Sequence, residues 1–264
     1  MTGRQAIHSP TMSHNPAEND RRTTDFGFRQ VPLAAKKSLV GAVFDNVATR
    51  YDLMNDLMSL GIHRRWKRAL VAALAPRANR TLLDLAGGTG DITFGWLAAG
   101  GGEAILSDIN AAMLAIARDR SLARGFAHGL SFLVADGERL PLPDRAMDTV
   151  TISFGLRNCT DKPAVLAEAR RVLKPGGRFF CLEFSTLQVA ALAPLYDAWS
   201  FGVLPRLGRI VAHDEESYQY LAESIRTFPD QETLAGMLYA AGLGRVQVRN
   251  LSGGIAAIHS GWRL

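Results

Sequence analysis

The chain has 264 residues, of which 47% are hydrophobic, and this suits one large globular domain rather than a disordered protein. Its two cysteines, Cys159 and Cys181, share no metal-ligand spacing with each other or with the histidines. We therefore expect no disulfide framework, no bound metal and a reducing, cytoplasmic compartment. The net charge of +5 suits an anionic partner, such as a membrane surface or a nucleic acid.

Residues 1–24 are polar and aperiodic, which predicts a disordered tail before a domain that spans residues 25–264. From residue 25 to residue 75 the apolar spacing predicts a helical N-terminal part that is broken near Gly61. This part contains HRRWKR, from His63 to Arg68, with four cations and a tryptophan. Such a cluster suits phospholipid headgroups, and the alternative is a solvated helix face.

Five apolar runs alternate with helical patterns in the middle of the chain. The runs are TLLDL (81–85), AILSDI (104–109), LSFLVAD (130–136), DTVTISF (148–154) and RFFCLEF (178–184). Most are hydrophobic almost without interruption, as is typical of parallel strands that are buried on both faces. The alternation predicts an α/β fold with a mostly parallel, doubly wound sheet.

The connections after the fourth and fifth runs differ in kind. Asp161 is the expected N-cap of a helix that stops between Lys174 and Gly177. Residues 186–229 lose the strand period, so we expect a helical insertion that covers a site, and Pro194 and Asp197 argue against a membrane span there.

The C-terminal part of the chain has its own pattern. A helix is predicted from Asp230 to Ala241. It precedes RVQVRNL and IAAIHSGWR, which Ser252, Gly253 and Gly254 join. This arrangement predicts a C-terminal antiparallel hairpin.

The sequence LLDLAGGTGD follows the first predicted strand and has three plausible ligands. A nucleoside triphosphate loop needs Lys and then Ser or Thr after its last glycine, and residues 91–93 are Asp, Ile and Thr. A dinucleotide fingerprint needs a third glycine where Thr93 stands, which weakens a nicotinamide oxidoreductase without eliminating it. The third ligand is S-adenosylmethionine, which has no phosphate and suits a glycine-rich backbone with carboxylates nearby.

Acidic residues end three successive predicted strands, at the edge where ligands bind in such sheets. Asp84 can take the ammonium group of S-adenosylmethionine, Asp108 can accept from the ribose hydroxyls, and Asp136 can accept from the adenine amino group. The amide of Gly137 can address the ring. Small loop residues let the backbone approach the ligand or offer a hydroxyl, namely Gly87, Gly88, Thr89 and Gly90.

Several motifs together resemble the ubiquinone and menaquinone biosynthesis C-methyltransferases. They are LLDLAGGTGD, SDIN, PLPD, SFGLRN, RVLKPGG, LEFS, YDLMNDLMSLGIHRRWKR, YLAESIR and FPDQETL. The glycine loop alone would indicate only a class I methyltransferase, whereas YDLMNDLMS and SFGLRN are more specific. The resemblance runs from about Phe26 to the C-terminus.

The resemblance implies a Rossmann-like class I methyltransferase domain with S-adenosylmethionine as cofactor. The implied reaction moves a methyl group to a ring carbon of a polyprenyl quinol, either 2-methoxy-6-polyprenyl-1,4-benzoquinol or demethylmenaquinol. By motif position, the cofactor contacts fall on Thr89, Asp108, Asp136, Gly137 and Ser153. The alternatives are another small-molecule class I methyltransferase or a nicotinamide-dependent oxidoreductase.

Carbon methylation of a quinol requires a stabilised phenolate, because deprotonation makes the neighbouring ring carbon nucleophilic. We expect Arg157 to donate to the phenolate oxygen, since its guanidinium is too basic to accept a proton, and Asn158 to orient that oxygen. His63, Tyr196 and Tyr218 are further candidates for the base.

The expected surroundings follow from the substrate. A polyprenyl quinol lies in a membrane, so we expect the protein to be cytoplasmic and peripheral to the inner face of the membrane. The expected partners are other quinone-synthesis enzymes and a second copy of the chain in a homodimer, and nucleic acid is not expected.

Overall fold

A computed structural model describes residues 23–47, 56, 59, 61–126, 128–189 and 215–264 of the chain. The described chain begins with an antiparallel hairpin of β1 (Thr23–Phe26) and β2 (Arg29–Pro32), which the sequence analysis did not predict. The hairpin includes the last two residues of the predicted tail. Helices α1 (Leu33–Val47) and α2 (His63–Leu74) follow, as the helical N-terminal part predicts.

The parallel part of the chain alternates strands and helices in the predicted order. In chain order these elements are β3 (Leu82–Leu85), α3 (Asp91–Ala98), β4 (Ala104–Asp108), α4 (Ala111–Ala123), β5 (Leu130–Val134), β6 (Met147–Ser153), α5 (Lys162–Val172) and β7 (Leu173–Phe184). Asp161 caps α5 by accepting from the backbone N–H of Ala164, as predicted. Strand β7 begins five residues before the predicted run, because Leu173 already pairs with Met147.

The remaining described elements close the fold. They are α6 (Glu215–Arg226), α7 (Gln231–Ala240), β8 (Gly244–Leu251) and β9 (Ala256–Trp262). The C-terminal hairpin is confirmed, since β8 and β9 pair antiparallel across the turn at residues 252–254. Of the predicted insertion, residues 190–214 lie outside the described residues, and α6 is its helical part within them.

Seven strands form the main sheet, in the order β5-β4-β3-β6-β7-β9-β8. Strands β3 to β7 are parallel, and β9 runs antiparallel to β7 and β8. The sheet has a switch point at β3, because the next strand in sequence, β4, lies on one side and β6 lies on the other. Connections leave such a switch point in opposite directions, which opens a crevice outside the carboxyl ends of β3 and β6.

Both faces of the sheet are covered, as the continuous apolar runs require. Successive residues of β7 pack into two different apolar clusters. Phe180 and Leu182 belong to one cluster, and Phe179 and Cys181 belong to the other. Successive side chains of a strand point to opposite faces, so the two clusters lie on opposite sides of the sheet. The core therefore holds the central strands rigidly and fixes where their carboxyl ends lie.

One carboxylate joins the amino ends of the central strands. Asp148 Oδ2 accepts from the Thr81 backbone N–H at 3.0 Å, from the Thr81 hydroxyl at 2.9 Å and from Lys174 Nζ at 2.8 Å. Burial alone would raise the pKa of this carboxyl, but the hydrogen bonds from Lys174 and Thr81 hold it below its usual value. The interaction favours the folded state above the ordinary aspartate pKa and is lost as pH falls through the folded value.

We expect Asp148→Asn to lower the free energy of unfolding by about 1.5–3 kcal/mol at pH 7, because charge-assisted hydrogen bonds are lost. The difference from wild type should shrink as the pH falls from about 4 through the lower folded pKa, because protonation then removes the charge of the wild-type carboxylate too. Urea denaturation at pH 7 and pH 3 measures both values, with Asp119→Asn on the exposed side of α4 as the control. An equal loss at both pH values would contradict this account.

Candidate active site

A cleft opens at the carboxyl ends of the parallel strands, beside the switch point. Its wall is built from the loops after β3, β4, β5 and β6, and α1 contributes Lys37, Val40 and Gly41 from above. The predicted site residues that line it are Gly88, Asp108, Asp136, Gly137 and Asn158. The loops converge because the strands are parallel and adjacent. Residues that are far apart in the sequence therefore meet at the carboxyl edge of the sheet.

The glycine loop after β3 passes directly over buried side chains. A Cβ atom built on Gly87 would lie 2.2 Å from Leu106 Cδ1 and 2.9 Å from the Asp84 carboxyl group. Only glycine fits at position 87, which explains why the loop has no side chain there. At the opposite wall a Cβ on Gly137 would meet only Val165 methyl groups, at 3.8 and 3.9 Å, so alanine would fit at that position.

Asp84 lies beneath this loop and is completely buried. Its Oδ2 accepts from the Thr93 hydroxyl at 2.7 Å and from the Thr93 backbone N–H at 3.2 Å. Its Oδ1 has no hydrogen-bond partner among the described residues. Burial raises the pKa of this carboxyl to about 7, in spite of the bonds from Thr93. Asp84 does not itself line the cleft, so it can act on a ligand only from beneath the loop.

Asp108 ends β4 and reaches the floor of the cleft. Its Oδ2 accepts from the Gly88 backbone N–H at 2.9 Å, and its Oδ1 accepts from the Asn110 backbone N–H at 2.8 Å. Burial raises the pKa of the carboxyl, and these backbone bonds oppose the rise. The Ile109 backbone N–H is a third donor to this carboxyl. A carboxylate has about four lone-pair sites, so about one remains for a ligand hydroxyl group.

Asp136 follows β5 and forms an ion pair across the mouth of the cleft. Its Oδ2 accepts from Lys37 Nζ, which also lies 2.9 Å from Glu138 Oε2. Its Oδ1 accepts from the Glu138 backbone N–H at 3.0 Å. Sequence reasoning missed Lys37, because no local pattern connects a lysine on α1 with an aspartate 99 residues later.

The remaining predicted cofactor residues differ in their access to the cleft. Ser153 ends β6, and its buried Oγ has no hydrogen-bond partner among the described residues. Thr89 is buried, and Gly90 precedes α3 with a φ of 90°. Neither of these two lines the cleft, so they shape the loop rather than its surface.

The structure corrects the expectation for Arg157. This side chain does not line the cleft; it is buried, and its Nη1 donates to both Glu183 oxygens at 3.1 and 3.0 Å. The same Nη1 donates to the Phe154 carbonyl oxygen at 2.6 Å. Burial raises the pKa of the Glu183 carboxyl, and the Arg157 charge opposes that rise. The guanidinium is thus paired with Glu183 inside the protein, and its Nε has no hydrogen-bond partner among the described residues.

Asn158 follows Arg157 in a 3-10 turn and does line the cleft. Its Oδ1 accepts from the Tyr220 hydroxyl group at 3.1 Å. The next residue, Cys159, also lines the cleft, and burial raises the pKa of its thiol to about 12. The thiol therefore stays protonated near neutral pH and is a poor nucleophile.

Two of the three further base candidates, His63 and Tyr218, do not line the cleft. His63 is buried at the start of α2, where its Nδ1 lies 2.8 Å from Ser59 Oγ, and burial lowers the pKa of its ring. Tyr218, on α6, is buried in an apolar cluster. Tyr196 lies outside the described residues. The assignment of these residues as bases stays a prediction.

The cleft suits a ligand that carries hydroxyl and ammonium groups on a small apolar surface. The acidic residues that line it are Asp108, Asp136 and Glu138, and its apolar lining includes Ile109, Met113 and Ile152. Two buried oxygens beside it, Asp84 Oδ1 and Ser153 Oγ, lack a partner among the described residues. Buried polar atoms without partners are rare, so these oxygens are candidates for ligand or water contacts.

Comparison with known proteins gives the same family over almost the whole chain. Residues 30–263 match the model of the ubiE/COQ5 methyltransferase family. The ubiquinone/menaquinone biosynthesis C-methyltransferase UbiE of Acidiphilium cryptum is 66% identical over 248 residues, which cover 94% of this chain and 100% of that protein. The protein of the same name from Methylobacterium nodulans is 55% identical over 249 residues, covering 93% and 98% of the two chains.

Solved structures with low sequence identity share the fold. A SAM-dependent methyltransferase from Aquifex aeolicus matches with a TM-score of 0.54 at 16% identity, over 75% of this chain and 89% of that one. Phosphoethanolamine N-methyltransferase 2 of Haemonchus contortus, in complex with S-adenosyl-L-methionine, matches with a TM-score of 0.55 at 12% identity, over 75% and 52%. The fold is therefore that of the Rossmann-like methyltransferases, as predicted.

We expect Asp84→Asn to stabilise the ligand-free protein at pH 8 by about 2–4 kcal/mol, with little gain at pH 4. The folded pKa of Asp84 lies above its unfolded value, so ionisation destabilises the fold as pH rises from about 4 to 7. An asparagine carries no charge and still offers Thr93 an acceptor. Urea denaturation of both proteins from pH 4 to pH 8 gives the profile. A difference that does not change with pH would show that the Asp84 carboxyl is not responsible.

Proposed function

The chain belongs to the ubiE/COQ5 methyltransferase family, and we propose that it methylates a ring carbon of a polyprenyl quinol in ubiquinone or menaquinone biosynthesis. It is a C-methyltransferase, and its methyl donor is S-adenosylmethionine. The observation that carries the proposal is the 66% identity with a ubiquinone/menaquinone biosynthesis C-methyltransferase over 94% of the chain. Because the chain belongs to this family, the alternative of a nicotinamide-dependent oxidoreductase is set aside.

The residues of the cleft fit this cofactor. Bound S-adenosylmethionine supplies an electrophilic methyl group on a sulfonium centre. Asp84 would hold the ammonium group from beneath the glycine loop, directly or through water, and its unpartnered Oδ1 supports this role. Asp108 would accept from a ribose hydroxyl with its remaining lone-pair site.

The other end of the cleft would hold the adenine. Gly137 lines it with exposed backbone, and Asp136 beside it carries an acceptor oxygen that Lys37 already engages. Ser153, at the end of β6, would contribute its buried Oγ, which has no hydrogen-bond partner among the described residues. Gly88, Thr89 and Gly90 would form the loop that approaches the methionine end.

The protein's contribution to the chemistry is to hold the quinol oxygen in an environment that favours its ionised form. Asn158 lines the cleft, and a carboxamide offers two N–H donors to an oxygen that is becoming negative. We propose that Asn158 contacts the quinol oxygen directly. Donors that are already in place when charge develops need no reorganisation during the reaction, and this lowers the barrier.

For Arg157 we propose a role different from the one that the sequence suggested. Its hydrogen bond to the Phe154 carbonyl oxygen and its ion pair with Glu183 hold the turn that carries Asn158. The guanidinium therefore acts on the quinol through the position of the turn. The positive charge of Arg157 still stabilises a negative quinol oxygen at short range, but the negative charge of Glu183 offsets much of this effect.

We also propose attachment to an anionic membrane surface through α2, which would give the enzyme access to a polyprenyl substrate. The described HRRWKR cluster differs from the expected patch, because Trp66 is buried in the core and Lys67 pairs with Asp91 at 2.7 Å. What supports the proposal is that Arg65 and Arg68 are exposed on the helix. Within the described residues, no helix is both long and apolar enough to cross a bilayer.

Contacts with other quinone-synthesis enzymes and a homodimer stay predictions. Two further expectations also stay predictions: residues 25–264 form a single domain, and the segment of residues 186–229 covers the substrate. The support for this last proposal is α6, whose residue Tyr220 contacts Asn158 beside the cleft.

We expect the purified protein to add one methyl group to a short-chain quinol from S-adenosylmethionine, detected as a mass increase of one methylene group in the product. Asp108→Asn should weaken cofactor binding about 10-fold to 100-fold in calorimetry, because one charged acceptor is lost. Asp119→Asn on the exposed side of α4 is the matched control. Absence of methylated quinol under reducing conditions, with the cofactor bound, would show that the substrate is a different acceptor.

We expect Arg65→Gln/Arg68→Gln to weaken binding to vesicles that contain anionic lipid by about 30-fold at low salt, at about 1 kcal/mol for each basic residue. The double variant Arg245→Gln/Arg249→Gln removes the same charge from exposed positions of β8 and serves as control. Cosedimentation with vesicles measures both. Equal losses in the two double variants would indicate a general charge effect. No loss in either variant would show that α2 does not bind the membrane surface.

A further inference from the structure

A hydrogen bond links the reaction cleft to a residue that does not line it. The Tyr220 hydroxyl group lies 3.1 Å from Asn158 Oδ1, and Tyr220 is 5% exposed. Asn158 lines the cleft and Tyr220 does not, so the tyrosine can influence a bound substrate only through the asparagine.

The ring of Tyr220 is held firmly from the other side. It stacks on Phe26 at the end of β1, with the ring centroids 4.3 Å apart and the planes at 23°. The hairpin that carries Phe26 is fixed to α6, because the Phe28 backbone N–H donates to Glu223 Oε2 at 3.0 Å. Two elements that are far apart in the sequence thus fix one phenol group in one place.

The direction of the hydrogen bond follows from the chemistry of the two groups. Burial raises the pKa of the Tyr220 phenol well above its ordinary value, so the group keeps its proton. When the hydroxyl donates to Asn158 Oδ1, the carboxamide oxygen is engaged and the two N–H donors of Nδ2 remain for the cleft.

We propose that Tyr220 is a positioning residue for the methyl transfer, which sets the Asn158 carboxamide so that its NH2 group faces the quinol oxygen. The inference rests on the proposed function and names the residue that orients its donor. Without the Tyr220 hydroxyl, the carboxamide can rotate and present its oxygen to the quinol oxygen. Two lone-pair-bearing oxygens then face each other, and this disfavours the phenolate.

A double-mutant cycle tests the coupling. We expect Tyr220→Phe to lower the single-turnover rate about 10-fold at saturating cofactor and quinol, with less than a twofold change in cofactor affinity. Asn158→Ala should lower the rate about 100-fold, as loss of a preorganised donor does. The double variant should equal Asn158→Ala, because the tyrosine acts only through the asparagine. Tyr239→Phe removes an exposed hydroxyl group on α7 and is the matched control.

Three outcomes would overturn the proposal: a Tyr220→Phe rate equal to that of wild type, the same 10-fold loss in the Asn158→Ala background, or a cofactor affinity that falls as much as the rate. If Tyr220→Phe does not fold, Phe26→Leu loosens the same ring. A lower rate in the wild-type background and an unchanged rate in the Asn158→Ala background then support the coupling, and any other pattern opposes it.

The side-chain NH2 signals of Asn158 in a 15N spectrum separate this inference from the proposed function. The Asn158→Ala variant assigns them by their absence, and we expect them to shift in Tyr220→Phe and to stay unchanged in Tyr239→Phe. If wild type does not methylate the quinol but the signals shift, the positioning contact stands and the assigned reaction is wrong. Signals that stay unchanged in Tyr220→Phe would overturn the contact whatever the reaction is.

Discussion

The buried ion pair between Arg157 and Glu183 is the interaction on which the reaction side of the cleft depends. The two side chains are 2% and 1% exposed, and their charged atoms lie 3.0 Å apart. Removing one partner would leave an uncompensated charge in the interior, which typically costs about 3–5 kcal/mol. The pair also joins the turn after β6 to the end of β7, so the wall that carries Phe154 and Asn158 is locked to the centre of the sheet.

The side of the cleft that we assign to the cofactor differs from the reaction side, because a buried carboxyl group there has, in the described part of the chain, no partner for one of its oxygens. Asp84 has one oxygen without a partner among the described residues, and burial raises its pKa to about 7. We expect a neutral side chain there to give a more stable protein, so the presence of the carboxyl group supports the proposed role of Asp84 in holding the cofactor. Such local losses of stability are common where a site must be ready before its ligand arrives.

The sequence is sufficient to predict the parallel sheet and the edge at which ligands bind, because both follow from local apolar runs and from the acids that end them. Asp108 is found in this way, since a strand end can be recognised within a few residues. The ion pair of Arg157 with Glu183 could not be predicted from the sequence, because the pairing of β6 with β7 brings the two residues together. Lys37 is missed for the same reason. An ion pair between distant segments leaves no periodic signal, whereas strands and helices do.

The docking of the β1-β2 hairpin on α6 has a consequence for how the molecule assembles. The Phe28 backbone N–H and the Glu223 carboxylate are separated by 195 residues, which is most of the chain. During synthesis from the ribosome the hairpin must wait for almost the whole protein before its binding surface exists, whereas β3 and β4 can pair early. Contacts between such distant residues form late and slowly, because a long loop must close first. We therefore expect the wall that holds Tyr220 against Phe26 to be completed after β3 and β4, so that newly made chains form the two sides of the cleft in that order.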